Sequence, residues 1–264
     1  MLFRSGRAIM VFERIKKIGK KAKNTSAQLV ERIGMARITV LSLAVVLILG
    51  ALILRGVNSV QVFANKQSEP YRTGDSSQGK IALTCNVAWG EEFLPAMLDI
   101  LNEKNVKITF VILGEWAETH QEELKAISDA GHELGNHGYY HVNHSEISKE
   151  RVQEEITRTA NLIGDITGKV PTIFAPPSGD CDDESVQAAI DIGQTVILWS
   201  VDTIDWRRDG KDAILNRVLR DPKAGDIILM HPTKYTVDAL PEMIDGLVER
   251  GLTPCTVGEI LPQN

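Results

Sequence analysis

A chain of 264 residues with 43% apolar side chains carries enough hydrophobic surface for one sizeable core. Its formal charge of −6 is unevenly spread: ten basic residues in the first 37 positions face only Glu13 and Glu31, a local +8 that leaves −14 on the rest. So acidic a remainder argues against a nucleic-acid partner, and three cysteines (Cys85, Cys181, Cys255) without a CxxC pair exclude a disulfide scaffold.

The basic stretch 1–37 reads as a cytoplasmic tail. Ile38 to Leu54 then runs without a charged side chain, and at ~1.5 Å per residue it falls at the short end of what spans a ~30 Å hydrocarbon core. A transmembrane anchor at 38–55 follows, since a buried soluble helix would rarely lack a polar stripe. The positive flank places everything after Arg55 outside the cell, so a single-pass cell-membrane protein is expected. A cleaved signal peptide competes with this reading, because Val62-Phe63-Ala64 offers small residues to a peptidase, although the basic region is long for one. Residues 56–79 are polar, aperiodic and rich in Ser and Gly, and read as a linker.

From Lys80 to the end, short apolar runs alternate with helical periodicity. Strands are expected at Ile81 to Cys85, Ile108 to Ile112, His132 to Gly135, Thr172 to Phe174, Thr195 to Ser200, Ile227 to Met230 and Leu252 to Thr256. Between them fall helical patterns, among them one ending near Ala130. The longest, Lys149 to Thr167, has Val152, Ile156, Ile163 and Ile166 on one face and Gly168 as its stop. Cys85 and Cys255 sit within strand runs as small buried thiols. Seven strand–helix pairs imply a parallel α/β sheet, open or closed into an irregular TIM-like (β/α)7 barrel.

The reactive residue types fall just after strands, which favours the barrel, where strand ends share one mouth. Asn136-His137-Gly138-Tyr139-Tyr140-His141 follows the third strand, Ala175-Pro176-Pro177-Ser178-Gly179 the fourth, Asp202-Thr203-Ile204-Asp205-Trp206 the fifth and His231 the sixth. His137 and His141, four apart, can share a face of one helical turn and ligate a divalent ion such as zinc. A carboxylate such as Asp205 bonded to His231 would suit that imidazole to giving up a proton.

These residues resemble the polysaccharide deacetylases, also called the NodB homology domain or carbohydrate esterase family 4, over about Lys80 to Leu261. The resemblance rests on His137-x-x-x-His141 after Gly-His-Glu-Leu-Gly-Asn, on Pro-Pro-Ser-Gly at 176–179, on Asp202-x-x-Asp205-Trp206 and on Leu229-x-His231. It implies removal of N-acetyl groups from a polysaccharide such as peptidoglycan by metal-activated water. His137 and His141 would be ligands of zinc, or of cobalt or nickel. His231 would be the general acid, Asp205 its orienting partner, an amide near Ser178 an oxyanion donor, and Pro177 and Trp206 substrate-binding walls.

The first motif departs from the pattern. Where the family reads Thr-Phe-Asp-Asp-Gly, this chain has Thr84-Cys85-Asn86-Val87-Ala88. Asn86 stands at the base position and cannot take a proton from water near neutral pH, and Val87 replaces a carboxylate ligand. Ala175 replaces the arginine that pairs with the base; a guanidinium beside a neutral amide would be a poorly compensated charge, so the two losses belong together. Glu91 or Glu92 could swing in as base or ligand, or both could simply be acidic first-turn residues of a helix. A catalytically inactive, glycan-binding domain with a structural or signalling role is therefore the alternative to a hydrolase. A nucleotide-binding enzyme is disfavoured because no strand leads into a Gly-rich phosphate loop.

Overall fold

The structure is a computed structural model that describes residues 69–262. The expected tail and the expected anchor at 38–55 lie outside the described residues. Within them, no helix is long and apolar enough to cross a membrane.

The fold is a parallel α/β sheet wrapped by helices. Its strands are β1 (Lys80–Val87), β2 (Thr109–Ile112), β3 (Glu133–Asn136), β4 (Ile173–Phe174), β5 (Thr195–Val196), β6 (Val201–Asp202), β7 (Ile227–Met230) and β8 (Thr253–Cys255). They run in the order β5-β4-β3-β2-β1-β7-β6, and β8 pairs with the start of β1, Lys80 opposite Thr253. The helices are α1 (Leu94–Glu103), α2 (Gly114–Thr119), α3 (Gln121–Asp129), α4 (Lys149–Thr167), α5 (Asp183–Asp191), α6 (Lys211–Leu219) and α7 (Lys234–Glu249).

Three expectations need correction here. The single fifth strand expected at Thr195 to Ser200 is a strand only at Thr195–Val196, which pairs with β4 (Thr195 opposite Ile173), and a separate strand, Val201–Asp202, follows and pairs with β7 (Val201 opposite Ile228). The outer strands of the sheet are therefore consecutive in the chain, and the sheet curls into an incomplete barrel whose edges are joined by residues 197–200, not by a continuous ladder. The boundary at Lys80 is also too late. Tyr71 donates its N–H to Val196 O (2.9 Å) and accepts from Leu198 N–H (2.8 Å), so the supposed linker end fills the seam beside β5. The helical pattern ending near Ala130 is two helices, α2 and α3, broken at His120 (φ −126°, ψ 50°).

The pleat of β1 sorts side chains between two cores. Ile81, Leu83, Cys85 and Val87 face the helix layer, packed with Met97, Leu101, Leu240 and Ile244. Ala82 faces inward with Val111, Ile173, Ala175, Ile197 and Ile227, which fill the barrel. Asn86 lies two pleats on from Ala82 along the same strand, and it lines the mouth above this inner core. Helix α4 starts and ends as its sequence implies: Ser148 accepts a bond from Arg151 N–H (3.3 Å), and Gly168 adopts φ 73°, the left-handed stop that costs glycine nothing.

Candidate functional site

One cavity of about 350 Å³ at the carboxyl ends of the strands is bounded by Asn86, His137, His141, Ser178, Trp206 and His231, with Trp89, Trp199, Asp202 and Leu229 completing its wall. Residues distant in sequence thus converge as expected. They do so by local devices worth tracing.

The histidine pair is not on a helical turn. It lies on a loop after β3 in which Gly138 (φ 74°) and His141 (φ 55°) both take left-handed conformations. This folding brings the two rings to 5.2 Å, edge to face. The loop is pinned from below by buried polar groups. Asn136 donates its amide to Ile156 O (2.7 Å) and accepts from Gly138 N–H (2.9 Å). One carboxylate oxygen of Glu155 accepts from the N–H groups of Tyr139 and Tyr140 (2.7 and 2.8 Å), while Arg151 neutralises the other (2.6 Å). Glu155 went unnoticed in the sequence, yet the signal was there: a charged residue inside the apolar stripe of Val152 and Ile156.

His137 is buried, and its Nδ1–H donates to Ala175 O (2.7 Å). That bond fixes the tautomer and leaves Nε2 as a lone-pair donor facing the cavity, where Asn86 Nδ2 approaches to 3.5 Å. Burial lowers the His137 pKa to about 3, so the ring is neutral at any ordinary pH.

His231 and Asp205 form the pair the sequence implied. His231 Nδ1–H donates to Asp205 Oδ1 (2.8 Å), and Asp205 Oδ2 also accepts from His231 N–H and Thr236 Oγ1–H, both at 2.6 Å. Asp205 is 0% exposed. It opens a 3₁₀ turn, Asp205–Arg207, bracketed by left-handed Ile204 (φ 52°) and Arg208 (φ 58°), which turns Asp205 inward and leaves Trp206 half exposed. Trp89, missed in the sequence, stacks flat on His231 with ring centres 5.8 Å apart and planes 7° apart. Pro177 does not line the cavity; it is buried behind it, near Gly138.

Glu91 is not brought to the cavity. It opens a 3₁₀ turn, Glu91–Phe93, with Oε1 3.8 Å from His120 Nε2, and its pKa is lowered chiefly by backbone hydrogen bonding within that turn. Glu92, its neighbour, lines a different cavity. The reading of both as first-turn acids is the one the geometry supports. Asp202, the one acidic residue in the cavity wall, already accepts the Ile204 N–H at 2.8 Å.

The profile of the polysaccharide deacetylase family matches residues 73–197. Over 197 residues the chain is 34% identical to a peptidoglycan-N-acetylglucosamine deacetylase of Bacillus cereus, covering 73% of this chain and 70% of that protein. The chain belongs to the polysaccharide deacetylase family. It is also 36% identical over 197 residues to the uncharacterized protein YlxY of Bacillus subtilis, covering 75% of this chain and 62% of that protein, so it spans less than two thirds of that relative's length. Among solved structures, BA3943 of Bacillus anthracis, described as a CE4 family pseudoenzyme, superposes with a TM-score of 0.72 at 40% identity, covering 74% of this chain and 70% of that one. A mutant of BA3943 described as having restored enzymatic activity superposes with the same score at 38% identity, covering 74% and 72%.

The family's metal can be tested against this donor set. A catalytic zinc site takes three protein ligands and keeps one position open. His137 and His141 would supply two. At the third position Val87 is fully buried among apolar side chains on the helix side of β1, and Asn86 offers only an amide. No three His, Cys, Asp or Glu side chains come together as a metal cluster among the described residues. The residues present do not fit the family's three-ligand site.

Proposed function

We propose that this domain is a catalytically silent polysaccharide deacetylase homologue that binds N-acetylated cell-wall glycan, and that its amino-terminal segment holds it on the outer face of the cell membrane. The observation that carries the reading is Asn86. It stands at the end of β1 against His137 Nε2, where a base is needed, and the nearby acids Glu91 and Asp202 are engaged elsewhere. An amide neither deprotonates water nor neutralises a cation.

What remains is suited to binding. Trp89, Trp199 and Trp206 give amphipathic walls for sugar rings, and His231, His141 and Ser178 give polar groups for an N-acetyl or hydroxyl. The relatives named for acting on peptidoglycan support that polymer as the ligand. A divalent ion, zinc above all, would meet only a two-imidazole site of low affinity here. The intact His231–Asp205 pair favours the second reading, residual metal-dependent hydrolysis.

The test sets binding against turnover. N-acetylated chito-oligomers and peptidoglycan fragments are titrated calorimetrically into the full chain, and amine release is followed with zinc, cobalt or nickel added. Binding without amine release is expected. Amine release above the blank that vanishes in His231→Ala would overturn the silent reading and restore the hydrolase.

A further inference from the structure

Beside the described cavity lies a second one of about 310 Å³, bounded by Trp89, Phe93, Tyr235, Glu92, Arg208 and Lys234. Trp89 belongs to the walls of both, so a ligand longer than one sugar can cross from the first to the second over a shared indole, which is 42% exposed. The turn after β6 is arranged in the same sense, presenting Trp206 to the first cavity and Arg208, two residues on, to the second.

The second cavity differs from the first in charge. Lys234 is committed to Asp238 at 2.6 Å and adds no net charge. Arg208 and Glu92 are both exposed and make no ion pair among the described residues. Arg208 also holds a left-handed backbone (φ 58°), which a side chain other than Gly, Asn or Asp rarely takes unless its surroundings require it. One unpaired guanidinium and one unpaired carboxylate beside three aromatic side chains do not complement a neutral sugar. They complement a branch that carries both an acid and an amine.

We propose that the second cavity is a subsite for the peptide branch of a glycan whose N-acetylated sugar occupies the first, with Arg208 receiving a branch carboxylate, Glu92 a branch amine, and Trp89 the sugar between them. A planar guanidinium matches a carboxylate through two parallel hydrogen bonds, and the compact ammonium is a point charge that a carboxylate receives from any side. This rests on the glycan-binding reading and adds the part of the polymer that is selected.

Three probes separate the possibilities: a peptidoglycan tetrasaccharide stripped of peptide, the same tetrasaccharide bearing its peptide, and the peptide-bearing form with its amine acetylated. Calorimetry on the full chain should give about fivefold tighter binding per exposed charge contact, so with two contacts the peptide-bearing form leads the stripped one by about 25-fold at low salt. Arg208→Gln and Glu92→Gln should each cut that lead, and Glu92→Gln should have no further effect once the amine is acetylated. Equal binding of stripped and peptide-bearing probes, or variants that weaken both alike, would overturn the subsite and leave glycan binding standing. Failure of all three probes to bind would remove both.

Discussion

Replacing Asp205 by alanine tests how the site is held. Its carboxylate takes three donors: the ring Nδ1–H of His231, the backbone N–H of His231 and the hydroxyl of Thr236. After truncation the His231 ring can turn toward water, since its side chain is 18% exposed, and Thr236 keeps Thr233 Oγ1 at 2.8 Å. The His231 backbone N–H has no such substitute. One stranded buried donor costs ~1–3 kcal/mol, and losing charge-assisted bonds from a fully buried acceptor brings the total to ~3–5 kcal/mol. For a domain of this size each kcal/mol lowers Tm by ~2–4 °C, so a fall of ~6–20 °C is expected by calorimetry. Asp205→Asn keeps one acceptor oxygen and should cost ~1–3 kcal/mol, while its amide forces His231 into the other tautomer, visible in nitrogen chemical shifts. An Asp205→Ala protein melting within ~3 °C of wild type would refute the claim that this carboxylate ties α7 and the β7 end to the turn after β6.

Asn86→Asp together with Ala175→Arg, with Val87→Asp added if needed, should gain amine-releasing activity on chito-oligomers, since a general base is worth ~10²–10⁴-fold; the third change should also lower Tm because Val87 is packed in the apolar core. Elemental analysis after dialysis should find less than one tightly held divalent ion per chain, and a full equivalent lost in the His137→Ala, His141→Ala double variant would contradict the two-ligand assessment. Burial, with Lys107 nearby, lowers the His132 pKa to about 4, so the unfolded chain takes up a proton below ~6.5 that the fold resists; stability is intact above that pH and falls by up to ~3 kcal/mol toward pH 4. His132→Gln, which keeps an acceptor for Ile108 N–H, should shallow that decline in pH-dependent melts, leaving the share of His137 and His144. Gly90→Ala should cost ~1–3 kcal/mol and detach Trp89 from His231, seen as altered tryptophan emission, because Gly90 holds φ 82° and a Cβ there would lie 2.1 Å from Pro232 O.

The sequence showed most clearly what local chemistry decides. Helix α4 is framed by a Ser cap and a Gly stop, and the fall of the reactive clusters just after successive strands points to one shared mouth. The end of β5 at Val196 is hidden in the sequence because Thr195 to Ser200 reads as one strand, and where pairing passes from β4 to β7 depends on partners far along the chain. The histidine spacing was read as a helical turn because four residues fit one, whereas Gly138 and buried Asn136 and Glu155 make it a pinned loop. Trp89 went unread because a tryptophan in a loop has no period to announce it.

The two halves of this site answer to different forces. The His231–Asp205 half is made of bonds that also hold the fold: Asp205 is fully buried and gathers a strand-end amide and a helix side chain, so losing it would cost stability whether or not any proton is ever transferred. The Asn86 half carries no such duty. A carboxylate there would be a nearly buried charge facing a neutral imidazole, with Ala175 offering no counter-charge, and an amide relieves that cost. A domain selected for holding glycan would therefore keep the acid pair and shed the base, and an Asp–His pair in this family is evidence of a well-held barrel mouth before it is evidence of turnover.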